Sequence, residues 1–410
     1  MIYLSDWLNE TTYVREMKDA PGMFYHFLKH LPNSLHKEFR KVPVMMCHYS
    51  YQTGIYADTD LFADVKPEYL EKLKNKQCVF VLDGSHEGWA VQHHAVAQGL
   101  YNSCVKHNID PAGAFFISGN LREKGNFDLF WRSLENPKNK LNVIEIMHWD
   151  GFQKQMLKAL DKLMPRHLSL LKNYNGKYFI NLNRRKRFWR SYAVWRLHDS
   201  GLAKHGLVSH DKLHPGEYRS NSFYNNSMDQ FMSENTPMIV DTDDFQTNWA
   251  NYQATDLHSR VLFSLTCETM QSDWEETSLF YSEKTFKPIV QKMPVIVWGQ
   301  MGQNYNLARL GYKLYTDWFD YEFDFIREPI KRWAALEKEV ARVCKKLDKM
   351  NRTQQIDWSL GNVDVLNHNY ARADYNEYSF DSFVDLVQNS INYVTHKRQT
   401  DDYYRSKNVF

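Results

Sequence analysis

The chain has 410 residues, 43% of them hydrophobic and 24% charged, which is enough for two domains with sizeable cores. Its formal net charge of +2 argues against a protein whose main work is gripping nucleic acid by charge, while leaving a local basic groove open. Aromatics reach 15%, with 12 Trp and 25 Tyr, a load that serves stacking surfaces for sugars or bases as well as core.

Five cysteines (Cys47, Cys78, Cys104, Cys267, Cys344) show no CxxC spacing, which points to reduced thiols and not to a disulfide framework or zinc knuckle. The opening MIYLSDWLNE lacks a basic stretch followed by an apolar one, and no run approaches the roughly 18 to 20 apolar residues of a membrane span. The expectation is a soluble, cytoplasmic protein with no membrane partner.

In chain order, Val42 to Tyr49 reads as a first buried strand, and Cys78 to Leu82 as a second, stopped by Asp83-Gly84. Glu87 to about His107 reads as a helix. Ala114 to Ser118 and Asn142 to Met147 read as further strands, giving the alternation of a parallel α/β sheet. Gln153 to Met164 reads as a helix ended by Pro165, and a domain boundary is placed there, so that residues 1–165 form one unit. A second begins near residue 170 with strand Lys177 to Leu182, a basic run to Arg190 and a helix closed by Gly201. Pro237 to Val240 is read as a strand, Leu257 to Thr269 as a helix, Val295 to Trp298 as a strand and Tyr312 to Tyr315 as the last strand. Glu328 to Met350 is a long amphipathic helix by its 3-4-3 apolar spacing. The second unit ends near 375, and 376–410 adds a helix from about Phe380 to His396 and a tail.

Tyr281 to Gly299 (YSEKTFKPIVQKMPVIVWG) concentrates the signals. Phe286, Ile289 and Val290 recur at helical spacing, and Pro288, lacking an amide hydrogen, is expected in the first turn. Glu283 and Lys284 then sit at a loop-to-helix junction, where amides and the helix dipole favour phosphate. The plainer reading is a solvated charge pair at an ordinary helix start. Arg184 and Arg185, just past a strand end, suit a diphosphate, since guanidinium forks match phosphate oxygens. A rival is a nucleic-acid patch with Phe188 and Trp189 interleaved among basic residues. The plainer alternative is a solvated helix face, with Trp189 inward and Arg187 and Arg190 in water. Asp83 to Glu87 (DGSHE) follows a strand and suits a general base, or merely forms a turn and cap. Ala90 breaks any HExxH zinc motif. Glu268 is either a second carboxylate lining a crevice or an end-of-helix polar residue.

Together SEKTFKPIVQKMPVIVWG, LGYKLYTDWFDYEFD (Leu310 to Asp324), INLNRRKR with SGLAKHGLVSH (Ser200 to His210), and Thr266 to Thr269 resemble a group of glycosyltransferase-like proteins of tailed bacteriophages and large viruses. These blocks span roughly residues 177–332. The Glu-Lys core also resembles the α-1,3-fucosyltransferase family, although Lys287-Pro288 stands where that family has an arginine-asparagine pair. The resemblance implies a GT-B-like α/β fold, two Rossmann-like domains facing a central cleft. It implies an inverting transfer from a nucleotide-diphosphate sugar, UDP- or GDP-linked, to a hydroxyl, with no permanently bound cofactor and no metal. Glu283 would contact the donor's ribose or sugar, and Lys284 with Arg184 or Arg185 its diphosphate; Lys287 and Glu268 complete the donor set. The base would come from the first domain, Asp83 or Glu87. Phage enzymes of this type glycosylate hydroxymethylated pyrimidines, so double-stranded DNA carrying hydroxymethylcytosine is an expected acceptor, with a glycan or small glycoside as the alternative. A non-catalytic nucleotide or nucleic-acid binder is the other reading.

Overall fold

A computed structural model describes residues 31–48, 57–63, 65–85, 88, 90–147, 166–183, 186–240, 257–269, 271, 278–373 and 377–407. The chain divides into two compact units, one of residues 1–148, 277–280 and 376–410 and the other of residues 149–276 and 281–375. Each contains a four-stranded, all-parallel sheet, so the class is α/β. The helix expected from Gln153 to Met164 lies outside the described residues.

Unit 1 takes its strands in sequence order: β1 (Val44–His48), β2 (Val79–Gly84), β3 (Ala114–Ser118) and β4 (Asn142–Glu145). Runs such as VFVL and AFFI are apolar at every position because a parallel sheet is buried on both faces. The described residues of this stretch form α1 (Asn33–Phe39), α2 (Pro67–Lys74), α3 (Ala90–Lys106) and α4 (Glu123–Arg132). Right-handed crossovers that all step the same way place their helices on one face. Met45, Cys47, Phe80, Leu82, Phe116 and Val143 accordingly form one core with Val96, Leu100 and Cys104 of α3 and Phe127 of α4.

Residues of the other parity, such as Met46, Val81, Phe115 and Ile117, are equally buried. Their cover is the C-terminal helix (Glu377–Lys407), which packs on β2, β4 and α1 and buries Phe383, Leu386, Val387 and Val394. Ser379 Oγ accepts from Met147 N at 2.8 Å, beyond the end of β4. Tyr393 lies against Gly113, just before β3 begins, and its ring receives Lys76 Nζ at 5.2 Å. The helix therefore runs antiparallel to the strands, and the about 21 Å between these two residues suits the length of a strand of five or six residues.

Unit 2 is ordered differently. β5 (Lys177–Asn183) lies between β6 (Gly206–His210) and β7 (Val261–Cys267), with β8 (Val295–Trp298) beyond β7. Among the described residues its α-helices are α5 (Arg166–Asn173), α6 (Phe188–Asp199), α7 (Asn226–Asn235), α8 (Glu283–Val290), α9 (Gln303–Arg309), α10 (Pro329–Leu347), α11 (Arg352–Leu360) and α12 (Val363–Arg372). The chain steps from β5 to β6 on one side, then returns to lay β7 on the other side of β5.

Four expectations are corrected. Leu257 to Thr269 is not a helix: Val261–Cys267 is a fully buried central strand, because a short apolar run of β-formers has no amphipathic period to betray it. Pro237 to Val240 supplies only an isolated antiparallel bridge between Met238 and His210. Tyr312 to Tyr315 forms no strand; Tyr312 packs on Phe286 at 5.8 Å between ring centroids and Tyr315 on Trp318 at 5.7 Å. Finally, Pro288 lies inside α8, not in its first turn.

Candidate functional site

In an open parallel sheet, the loops leaving two neighbouring strands part company where the strand order reverses, and that crevice takes ligands. In unit 2 the reversal lies between β5 and β7. The loop after β5 carries the basic run, and the loop after β7 carries Glu268. The start of α8, the crossover from β7 to β8, brings Glu283 and Lys284 to the same edge.

Glu268 holds that helix start. It is 1% exposed, and its carboxylate accepts from Ser282 N (3.1 Å), Ser282 Oγ (2.6 Å), Thr269 N (3.1 Å) and Thr285 Oγ1. Ser282 caps α8 by accepting from Lys284 N at 3.3 Å. Neither offered reading of Glu268 is quite what is seen. It ends a strand, not a helix, and is saturated by the groups it positions.

Lys284 Nζ stands 2.7 Å from Glu283 Oε1 and 3.2 Å from Ser282 Oγ, with both charged side chains about one-fifth exposed (22% and 19%). Burial pushes the Glu283 carboxyl up, but Lys284, Lys287 and Arg190 outweigh it and hold the group at about 2. Lys284 sits below the usual lysine range despite its partner, through burial first and then the positive field of Arg190, with Glu283 and Glu268 acting against both. The ammonium is depressed chiefly because it is buried, while the cations Lys284, Lys287 and Arg190 together act on Glu283.

Arg190 is the residue that sequence reasoning misplaced. Expected in solvent, it is 2% exposed and donates from Nη2 to Thr269 Oγ1 at 3.3 Å, beside the end of β7. Its guanidinium feels Glu283, Glu268 and Arg187. No periodic signal marked it, since α6 buries Phe188 and Arg190 through Val194 in succession and so has no single wet face. Phe188 belongs to the core, and half-buried Trp189 packs against Tyr192, Phe223 and Trp298. At the end of β5, Asn183 donates to Asn181 Oδ1 at 2.5 Å, and its own Oδ1 is buried without a hydrogen-bond partner.

Arg184, Arg185 and Glu87 lie outside the described residues. Lys287 is half-buried and acts on Glu283 through its charge. Asp83, in unit 1, is 3% exposed at the end of β2 and accepts from Ser85 N at 2.9 Å, an arrangement that also makes the turn there. Thus Glu283, Lys284 and Glu268 are brought together, with Arg190 added from the same basic run. Among the described residues no group of three or more His, Cys, Asp or Glu side chains is disposed to hold a metal ion, and no helix is long and apolar enough to cross a membrane. No known protein family, curated protein or solved structure matches the chain.

Proposed function

We propose that the chain is a nucleotide-sugar-dependent glycosyltransferase of GT-B architecture, with unit 2 as its donor-binding domain. The observation that carries this reading is the cationic centre at the strand-order reversal of unit 2: Lys284 at a helix N-terminus, with buried Arg190 acting on it by charge and Glu268 holding the backbone in place. Backbone amides, a dipole and two cations suit a diphosphate. The same groups offset the charge that grows on a nucleoside diphosphate as it leaves the anomeric carbon. Glu283, kept ionised, is suited to accept from ribose or sugar hydroxyls.

The remaining roles follow from the resemblance. A carboxylate of unit 1, Asp83 or Glu87, would take the proton of the acceptor hydroxyl in an inverting displacement. The acceptor would be a hydroxymethylated base in DNA, reached by flipping it from the stack.

The decisive experiment is calorimetric titration with UDP, GDP and their sugar conjugates, followed by product analysis with hydroxymethylcytosine-containing DNA, unmodified DNA and simple glycosides. One nucleotide series should bind, and Lys284→Ala should lower its affinity by about 10- to 100-fold without unfolding the protein. Absence of binding by every nucleotide diphosphate would sink the reading. Binding without transfer to any acceptor would leave a nucleotide-binding protein.

A further inference from the structure

Unit 1 holds a buried carboxylate that this chemistry does not use. Glu123, the first residue of α4, is fully buried. Asn120 Nδ2 donates to its Oε2 at 3.0 Å. Its charged neighbour is Glu145, at the end of β4; the other groups acting on it, Asn120 and Asn126, are amides. Glu145 is itself fastened to α4, accepting from Lys124 N at 2.8 Å.

The same Asn120 grips a distant stretch of chain. Its Oδ1 accepts from Leu279 N at 2.9 Å, and Leu121 N donates to Leu279 O at 2.9 Å. Ser278 Oγ donates to Gly88 O at 3.0 Å, and the Phe280 ring fills the space that a Cβ on Gly88 would need. Residues 278–280 are thereby clasped at the loops that follow β2 and β3, immediately before Tyr281 to Lys284 in the chain.

We propose that Asn120, Glu123 and Glu145 form a proton-operated latch, which grips residues 278–280 while Glu123 carries its proton and relaxes that grip once it ionises. One amide joins the two events, since Asn120 faces Glu123 with its nitrogen and Leu279 with its oxygen. A neutral Glu123 can stay buried beside Glu145. An ionised one is a second negative charge without water, and it must either hydrate or swing out, taking Asn120 Nδ2 with it. Burial pushes the Glu123 carboxyl up to about 8, with Glu145 adding to the rise and the two amides opposing it. A raised acid stabilises the closed form below the ordinary carboxylate range, and this support drains away as pH climbs through about 8.

The test follows the Leu279 amide in protein labelled with ¹⁵N-leucine, the resonance being assigned by Leu279→Ile. The wild-type resonance should shift between about pH 6 and about pH 10. Glu123→Gln, which resembles the protonated acid, should hold the closed position throughout. Glu145→Gln should lower the midpoint, and Asn120→Ala should give the released position at every pH. Thermal unfolding establishes that each variant is folded. The latch is overturned if the wild-type resonance does not titrate, or if Glu123→Gln titrates as the wild type does. Should Glu123→Gln not fold, an unmoved midpoint in Glu145→Gln overturns it instead. None of these readings involves nucleotide binding, so the latch and the proposed activity stand or fall separately.

Discussion

The two sheets have the same number of strands, all parallel, yet they pose opposite problems. In unit 1 the order is sequential, and every described crossover steps one way, so that these crossovers cover one face and leave the other to different segments. The chain solves this by returning 31 residues of helix from its far end to cover that face. In unit 2 the second connection reverses, so the crossovers α6 and α8 fall on opposite faces by the right-handed rule. The reversal opens a gap between the loops after β5 and β7. One topology spends its C-terminus on burial, whereas the other creates a crevice as a by-product of folding. It is in the second that Lys284, Arg190, Glu283 and Glu268 meet.

If that contrast is right, breaking the cover should damage unit 1 alone. Phe383 of the C-terminal helix is fully buried, and Phe383→Ala should cost about 3–5 kcal/mol. In scanning calorimetry one of two transitions should move down while the other, and nucleotide affinity with it, stays. A single transition that moves as a whole would mean the two units unfold together, and the comparison would lose its energetic meaning.

The next largest effect belongs to unit 2. Glu268→Ala strips the acceptor from two backbone amides and two hydroxyls. With buried donors left unpaired, it should destabilise by about 3 kcal/mol and weaken nucleotide diphosphate binding as the start of α8 loosens. Thr285→Val, which removes one of these bonds, should cost about 1 kcal/mol. Unchanged affinity in Glu268→Ala would show that the helix start needs no support from β7. Asp83→Asn, in unit 1, should leave diphosphate affinity unaltered.

Much of this was legible beforehand, and what was not has identifiable causes. Ala114–Ser118 and Val295–Trp298 match their expected bounds residue for residue, because each apolar run is closed by turn residues. The junction at Glu283 and Lys284 was readable from the apolar period of Phe286, Ile289 and Val290, whereas Pro288, expected in the first turn, falls further inside the helix. β7 was misread because a strand buried on both faces shows no alternation, and β6 (GLVSH) was missed because it is short and half polar. Arg190 and Glu123 were invisible for a deeper reason. Burial of a charged side chain depends on which distant segments close over it, Thr269 in one case and the end of β4 in the other. Local spacing carries none of that.

The smallest effect separates the units by proton alone. Glu283 is held down at about 2 by Lys284, Lys287 and Arg190, while Glu123 is pushed up to about 8 by burial. For a depressed acid, stability is present above the ordinary carboxylate range and is lost as pH falls through about 2; for a raised one it is present at low pH and lost as pH rises through about 8. Acid should therefore weaken unit 2, and mild alkali unit 1. Because many other carboxylates also titrate in acid, the informative quantity is the difference between wild type and Glu283→Gln. Lys284 is depressed in the same pair and offsets part of the gain, so the difference should be only about 1–2 kcal/mol. It should appear in the unit 2 transition above the ordinary carboxylate range and shrink as pH falls toward about 2. A difference that stays constant down to acid pH would mean that Glu283 is not ionically held. The influence of Lys284, Lys287 and Arg190 on Glu283, and with it the case for an anion at the strand-order reversal, would then be weaker than the geometry implies.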